Sequence, residues 1–276
     1  MKSLKLRKDA EKSPILHALV VWLFAVGIAA LPYKRIFGSF IQNQTYAVYA
    51  AEISVRCILS AVAVYFIIKY RFTGLIKGFS GKAALLTVPA FLVAVNNFPI
   101  IAFITGDATL TGEYIPLFLV NCLFIGAFEE TVFRGLVFPL IYVSVKDKKY
   151  SAFFSAAVSS AVFAASHLIN LFGGAGIGET FLQVGYSFLI GGMCAVTVLM
   201  TGKIFIAVIL HFIYDIGGLI FTPQYGVAQG FQWDTATIII TAVIGVSVAV
   251  YMVIYALKND SLKLKSAIYS GYSENE

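Results

Sequence analysis

The chain has 276 residues, of which 59% are apolar, 15% aromatic and only 12% charged. Soluble domains carry about 45 to 50% apolar and about 25% charged residues, so this composition excludes an ordinary water-soluble protein and points to a membrane-embedded one. The formal net charge of +6 comes with no nucleic-acid-binding motif, so nucleic acid is not expected as a partner and the basic excess is read as membrane topology.

Runs of about 20 apolar residues mark membrane spans, and here they predict spans at 15–33, 46–68, 83–105, 114–145, 151–170, 181–200, 204–221 and 236–257. The expected fold is all-α, a polytopic membrane helix bundle of about eight transmembrane helices. The first apolar run is too long for a cleaved signal and is followed by further spans, so it is read as an uncleaved helix. In the second span Glu52 and Arg56 stand one turn apart and are read as a structural ion pair. Asn96 and Asn97, beside Pro99, are read as interhelical hydrogen-bonding residues. The glycine-rich stretch 173–178 lacks the Lys-Ser/Thr ending of a phosphate-binding loop and is read as a flexible outer loop. Cys57, Cys122 and Cys194 are scattered and fall in spans, which suits packing rather than a disulfide framework or a paired-cysteine metal site. From Lys258 onward the chain turns polar and is expected to be a solvated end.

Charge placement orients the bundle. Of the 20 Lys and Arg residues, 16 fall in segments on the side of the N-terminus, only Lys34 and Arg35 fall on the other, and Arg56 and Arg134 lie within spans. The positive-inside rule then puts both termini in the cytoplasm of an integral membrane protein, expected in the plasma membrane. The lipid bilayer is its first partner, and the sequence says nothing of its oligomeric state. Depth is less consistent. At about 1.5 Å per residue, Glu129 and His167 lie roughly 25 and 27 Å from the nearest inner lysines, whereas His211 lies only roughly 12 Å from Lys203.

Ionisable side chains at membrane depth cost about 2.5 to 3.5 kcal/mol each on insertion scales and mark function by default. Three short patterns hold them on separate spans: Glu129-Glu130-x-x-x-Arg134, Phe163-x-x-x-His167 and His211-x-x-x-Asp215. At about 100° per residue Glu130 and Arg134 share a helix face and suit an intrahelical ion pair, while Glu129 points about 140° away from Arg134, towards another helix. Glu129 is therefore the candidate general base, with Glu130 and Arg134 as its electrostatic support. The alternative is that all three form a buried structural network. His211 and Asp215 also share a face, so the carboxylate can orient the imidazole, and Phe163 can pack against the His167 ring.

Together, over roughly residues 114–221, the three patterns resemble the CPBP intramembrane proteases, also called the Abi or type II CAAX protease family. The resemblance implies an endopeptidase that hydrolyses a peptide bond of a membrane-associated peptide or protein. It implies that Glu129 and His167 activate water and that His211 and the residue at 215 face the oxyanion. A common family form has asparagine where this chain has Asp215, and an ionised aspartate would repel an oxyanion, so an orienting role for Asp215 is preferred. Glu129, His167 and His211 also make the donor set of many catalytic zinc sites. No HExxH helix is present, and no cofactor is favoured, with zinc as the alternative. The other functional class is a non-catalytic immunity, scaffold or transporter-like protein of the same fold. The expected organisation is a cytoplasmic segment at 1–14, N-terminal helices at 15–113, a catalytic core at 114–221, an outer loop and last span at 222–257, and a cytoplasmic tail at 258–276.

Overall fold

The computed structural model describes residues 2–78, 81–230, 235–259 and 262–270. A basic helix, α1 (Lys2–Lys12), leads into α2 (Pro14–Ala29) and α3 (Tyr33–Gly38). Pro14 opens α2, where its missing N–H is not needed. α4 (Gln44–Lys69) starts where the Asn43 side chain accepts the Tyr46 N–H at 3.1 Å. The third passage is broken into α5 (Gly81–Leu85), α6 (Val88–Asn96) and α7 (Ile100–Thr105), with Pro99 at the break between the last two. α8 (Ile115–Val132) runs through a π-helical turn, Phe133–Val137, into α9 (Phe138–Val145). α10 (Ser151–Ser166) closes in a 3-10 turn, His167–Leu171, and α11 (Ile177–Thr201), α12 (Ile204–Leu219), α13 (Thr235–Lys258) and α14 (Leu262–Tyr269) follow. Two three-residue strands, β1 (Ala108–Leu110) and β2 (Ala228–Gly230), pair antiparallel with Thr109 opposite Gln229.

The fold is thus a helical bundle of the expected class. Among the described residues seven helical stretches are long and apolar enough to cross a membrane, and α12, at 16 residues, is shorter. α12 nevertheless carries the chain from one end of the bundle to the other, because contacts group the loops into two sets. At one end Arg7 donates to the Tyr70 carbonyl at 3.1 Å, Lys203 donates to the carbonyls of Gly74 and Lys77, and Lys146 lies over the Tyr269 ring. At the other, Lys34 meets Gln224 at 3.4 Å, Asn43 meets Tyr114 at 3.2 Å, and β1 pairs with β2. α12 starts beside Lys203 and ends before Tyr225, so among the described residues eight helical passages run from one end of the bundle to the other, and α1 and α14 lie at the same end.

Two expectations change. The chain beyond Lys258 is not a solvated end over residues 262–270, because Leu264, Ala267 and Ile268 are buried at helical spacing and pack α14 onto α11 and the Thr73–Leu75 turn. Gly74 sits so close to Ala267 that a Cβ there would have no room. The depth mismatch also resolves. Gly202, at φ +68°, makes the tight left-handed turn from α11 to α12, and Thr201 and Gly202 are buried. Lys203 itself is half-buried behind that turn, and this burial holds its ammonium below the usual lysine range.

The basic-residue partition sets an expectation for which end faces the cytoplasm, and that expectation is open to a direct test. Single cysteines near Lys77 and Lys148 should react with an impermeant thiol reagent from the cytoplasmic side, and those near Asp107 and Gly176 from outside. Asp234, a third outer position expected from the sequence, lies outside the described residues. Labelling of a Gly176→Cys protein from the cytoplasmic side alone would overturn this orientation.

Candidate active site

The site depends first on how closely α8 and α12 cross. A Cβ on Gly126 would meet the Phe212 nitrogen and the Val208 oxygen, each at 3.2 Å, so glycine is what lets the two backbones approach. One turn further along α8, Glu129 and Glu130 come against His211. The Nδ1 atom of His211 lies 2.8 Å from Glu130 Oε1, while Nε2 lies 3.5 Å from both Glu129 Oε2 and Asp215 Oδ1. The second oxygen of Glu130 is 3.2 Å from Arg134 Nε. The first and third sequence patterns are thus joined through the second glutamate. The expected Glu130–Arg134 pair is present. His211 has a closer carboxylate than the expected Asp215: the crossing of α8 over α12 brings Glu130 to its Nδ1, while Asp215 stays within 3.5 Å of Nε2.

Arg134 is fully enclosed. Its Nη2 donates to the Gly191 carbonyl at 2.7 Å and its guanidinium lies 4.7 Å from the centre of the Phe163 ring. A Cβ on Gly191 would meet both Arg134 Nη2 and Phe163 at 2.9 Å, so α11 can approach only with glycine there. Arg134 itself sits in the π-helical turn, in which the N–H of Phe138 reaches back five residues to Phe133. Pro139 supplies no N–H to the normal ladder, and π turns of this kind accumulate at functional sites. Phe163 also packs edge-on against His167, with ring centres 5.1 Å apart, and against His211 at 5.9 Å. The expected Phe163–His167 contact is therefore one of several.

A cavity of about 1020 Å³ opens onto this cluster. Glu129, His167, His211 and Asp215 line it, whereas Glu130 and Arg134 stand behind the lining. Exposure separates them in the same way: the side chains of Glu129 and Asp215 keep 22% and 12%, against 0% for Glu130 and Arg134. His167 opens the 3-10 turn with Nδ1 3.2 Å from the Phe163 carbonyl. A carbonyl only accepts, so Nδ1 donates and Nε2 is left as the ring's free nitrogen.

Further polar contacts brace the cavity. Asn97 donates to the Tyr214 carbonyl at 2.7 Å and Asn96 to Thr241 at 2.9 Å, the interhelical role expected of both. Glu52 is more than half of an ion pair: it takes Arg56 at 2.7 Å, Lys34 at 2.5 Å, Asn121 at 2.9 Å and the Tyr225 hydroxyl at 2.8 Å. Burial, with the Glu52 carboxylate beside it, pushes the Tyr225 phenol well up.

The donors expected for zinc from the sequence are not the ones the structure brings together. Among the described residues the His, Cys, Asp and Glu donors that converge within 4.8 Å belong to Glu130, Cys194 and His211, without Glu129 or His167. In that set Glu130 already faces the Arg134 guanidinium, whose charge opposes a cation there. The Glu129, His167 and His211 set expected for zinc does not converge to that distance.

Residues 111–217 match the family model described as type II CAAX prenyl endopeptidase Rce1-like. That segment is similar to this family. It contains all three patterns, from Glu129 to Asp215, and is consistent with the CPBP and CAAX protease-like membrane endopeptidases at the level of the family. Neither a curated protein nor a solved structure matches the chain. Sequence reasoning missed the Glu130–His211 bond and the roles of Gly126 and Gly191, because each depends on which helices meet. The only trace in the sequence was the small residue itself.

Proposed function

We propose that the protein is an intramembrane endopeptidase that hydrolyses a peptide bond of a membrane-associated peptide or protein with water activated by Glu129 and His167. The observation that carries this is the division of the carboxylates: Glu129 reaches the cavity, while Glu130 and Arg134 are sealed behind it. A carboxyl group left facing a cavity is available for proton transfer, whereas one held by two partners is not.

In the proposed reaction Glu129 takes a proton from water as its oxygen attacks the scissile carbonyl carbon, with the free Nε2 of His167 positioning that water. Charge then collects on the carbonyl oxygen. His211, fixed through Nδ1 by Glu130, presents Nε2 to it as a hydrogen-bond donor when that nitrogen carries a proton. As the carbon–nitrogen bond breaks, the proton held by Glu129 passes to the leaving amine, which returns the carboxylate. Asp215 lies 3.5 Å from His211 Nε2 and is proposed to keep that nitrogen turned to the cavity, not to touch the oxyanion. No step passes through a metal.

The test is incubation of purified protein with membrane peptides in water enriched in oxygen-18. Hydrolysis places one heavy oxygen in each new carboxyl terminus. Absence of cleavage across a broad apolar peptide set, by protein that is folded, would favour the non-catalytic immunity, scaffold or transporter-like class.

The mechanism also fixes an expectation for metal content. Active protein should hold no stoichiometric zinc and should keep its activity after prolonged chelation, whereas a structural or catalytic zinc would be lost with it. Elemental analysis of wild type, His167→Ala and His211→Ala proteins decides the matter. One zinc per chain in the wild type, lost in both variants, would overturn the metal-free mechanism.

A further inference from the structure

The proposed reaction leaves the developing oxyanion with a single donor, His211 Nε2. The neighbour of that nitrogen, Asp215 Oδ1 at 3.5 Å, cannot be a second one, because an ionised carboxylate only accepts hydrogen bonds, whereas an asparagine amide in its place would donate. Sites for acyl transfer aim several fixed donors at the position the oxyanion takes. A neutral donor is missing on this side of the cavity, and α11 carries one. Gln183, Tyr186, Ile190 and Met193 line the cavity at helical spacing, so they form one face of α11. Tyr186 is 42% exposed, and among the described residues its hydroxyl has no hydrogen-bond partner. A phenol is neutral at pH 7 and can donate a hydrogen bond.

Two relations locate this phenol. The carboxylates of Asp215 and Glu129 both act on it electrostatically, and these are the two that lie 3.5 Å from His211 Nε2. The helix that carries it is fixed at the charge cluster, since the Gly191 carbonyl accepts Arg134 Nη2 at 2.7 Å, five residues and about 7.5 Å of helix from Tyr186. Tyr214 lines the cavity too, but it feels Asp215 and Tyr186 rather than Glu129.

We propose that Tyr186 is a catalytic residue, the second oxyanion donor, which together with His211 Nε2 receives the carbonyl oxygen of the scissile bond. The proposal rests on the proteolytic reading of the same cavity. As the water oxygen bonds to the carbonyl carbon and Glu129 takes the water proton, one electron pair of the carbon–oxygen double bond moves onto the oxygen. The Tyr186 hydroxyl donates a hydrogen bond to that oxygen and keeps its own proton. When the pair returns, the carbon–nitrogen bond breaks and the proton on Glu129 goes to the amine. The hydroxyl thereby stands in for the amide that position 215 lacks.

Tyr186→Phe tests this, because it deletes only a hydroxyl to which no described residue bonds. With a peptide that wild type cleaves, kcat should fall by about 10² to 10³-fold while KM stays within about twofold, as for an interaction made only in the transition state. A phosphonamidate version of the same peptide, whose anionic tetrahedral centre copies the intermediate, should lose affinity by a similar factor. The amide peptide, measured on Glu129→Gln protein with and without Tyr186→Phe, should bind equally well. A packing role for the ring survives in phenylalanine and moves neither readout. In an Asp215→Asn background Tyr186→Phe should cost less than in wild type, since the new amide supplies a donor, and equal costs in the two backgrounds would refute the compensation. Wild-type kcat and analogue affinity in Tyr186→Phe would overturn the assignment and leave the protease standing, as would finding both losses in Tyr214→Phe alone. Wild-type protein that cleaves no peptide and binds the phosphonamidate no better than the amide would overturn the protease, and the oxyanion donor with it.

Discussion

Glu129→Gln is expected to lower proteolysis by at least about 10²-fold while leaving the protein folded and inserted. Glutamine keeps the length and shape of the side chain but cannot accept a proton from water. Little structure depends on the charge, because the nearest ionic partner of Glu129 is His211 Nε2 at 3.5 Å, and the side chain keeps 22% exposure. Loss of activity should therefore appear with unchanged yield, unchanged elution of the detergent-solubilised protein and unchanged resistance to added protease. A Glu129→Gln protein that cleaves at the wild-type rate would sink the proposed mechanism outright, and attention would pass to His167 as the base.

Much of this site was legible in the sequence because helical arithmetic is local. Residues four apart share a face, so the Glu130–Arg134 pair and the divergence of Glu129 followed from spacing alone. The long apolar runs likewise gave the bundle and its passages. What the spacing could not give was which helix meets which, and that decided the partner of His211. Glu130 reaches it from α8 because Gly126 lets α8 and α12 close together, and nothing in the neighbourhood of residue 126 announces a crossing at residue 211. The same limit explains the C-terminal helix. Leu264, Ala267 and Ile268 carry an apolar stripe too short to register as a span, and its burial depends on a surface at Thr73–Leu75 almost 200 positions away. The Glu52 cluster was half legible: Arg56 is local, whereas Lys34, Asn121 and Tyr225 arrive from three other segments.

Arg134→Ala is expected to act in the opposite way to Glu129→Gln, lowering the amount of folded protein together with activity. Glu130 and Arg134 are both completely buried, and truncating one partner of such a pair costs about 3 to 5 kcal/mol because the other charge is left in a low-dielectric interior. That is a large part of a typical folding stability of about 5 to 15 kcal/mol. The loss reaches further than the pair. Arg134 also ties the π-helical turn to Gly191 of α11 and stacks on Phe163, the ring that packs both histidines. Without it, Glu130 keeps His211 and the neighbouring Cys194 thiol but loses its charged partner, so the imidazole that faces the cavity loses its fixed geometry. Arg134→Lys should recover part of the folded protein, since an ammonium restores the charge, but not all of it, since it lacks the planar fork that serves Glu130 and Gly191 at once. Thermal unfolding in detergent and resistance to added protease measure the first effect, and specific activity of the folded fraction measures the second. An Arg134→Ala protein as stable as wild type yet inactive would move Arg134 from support into the chemistry itself.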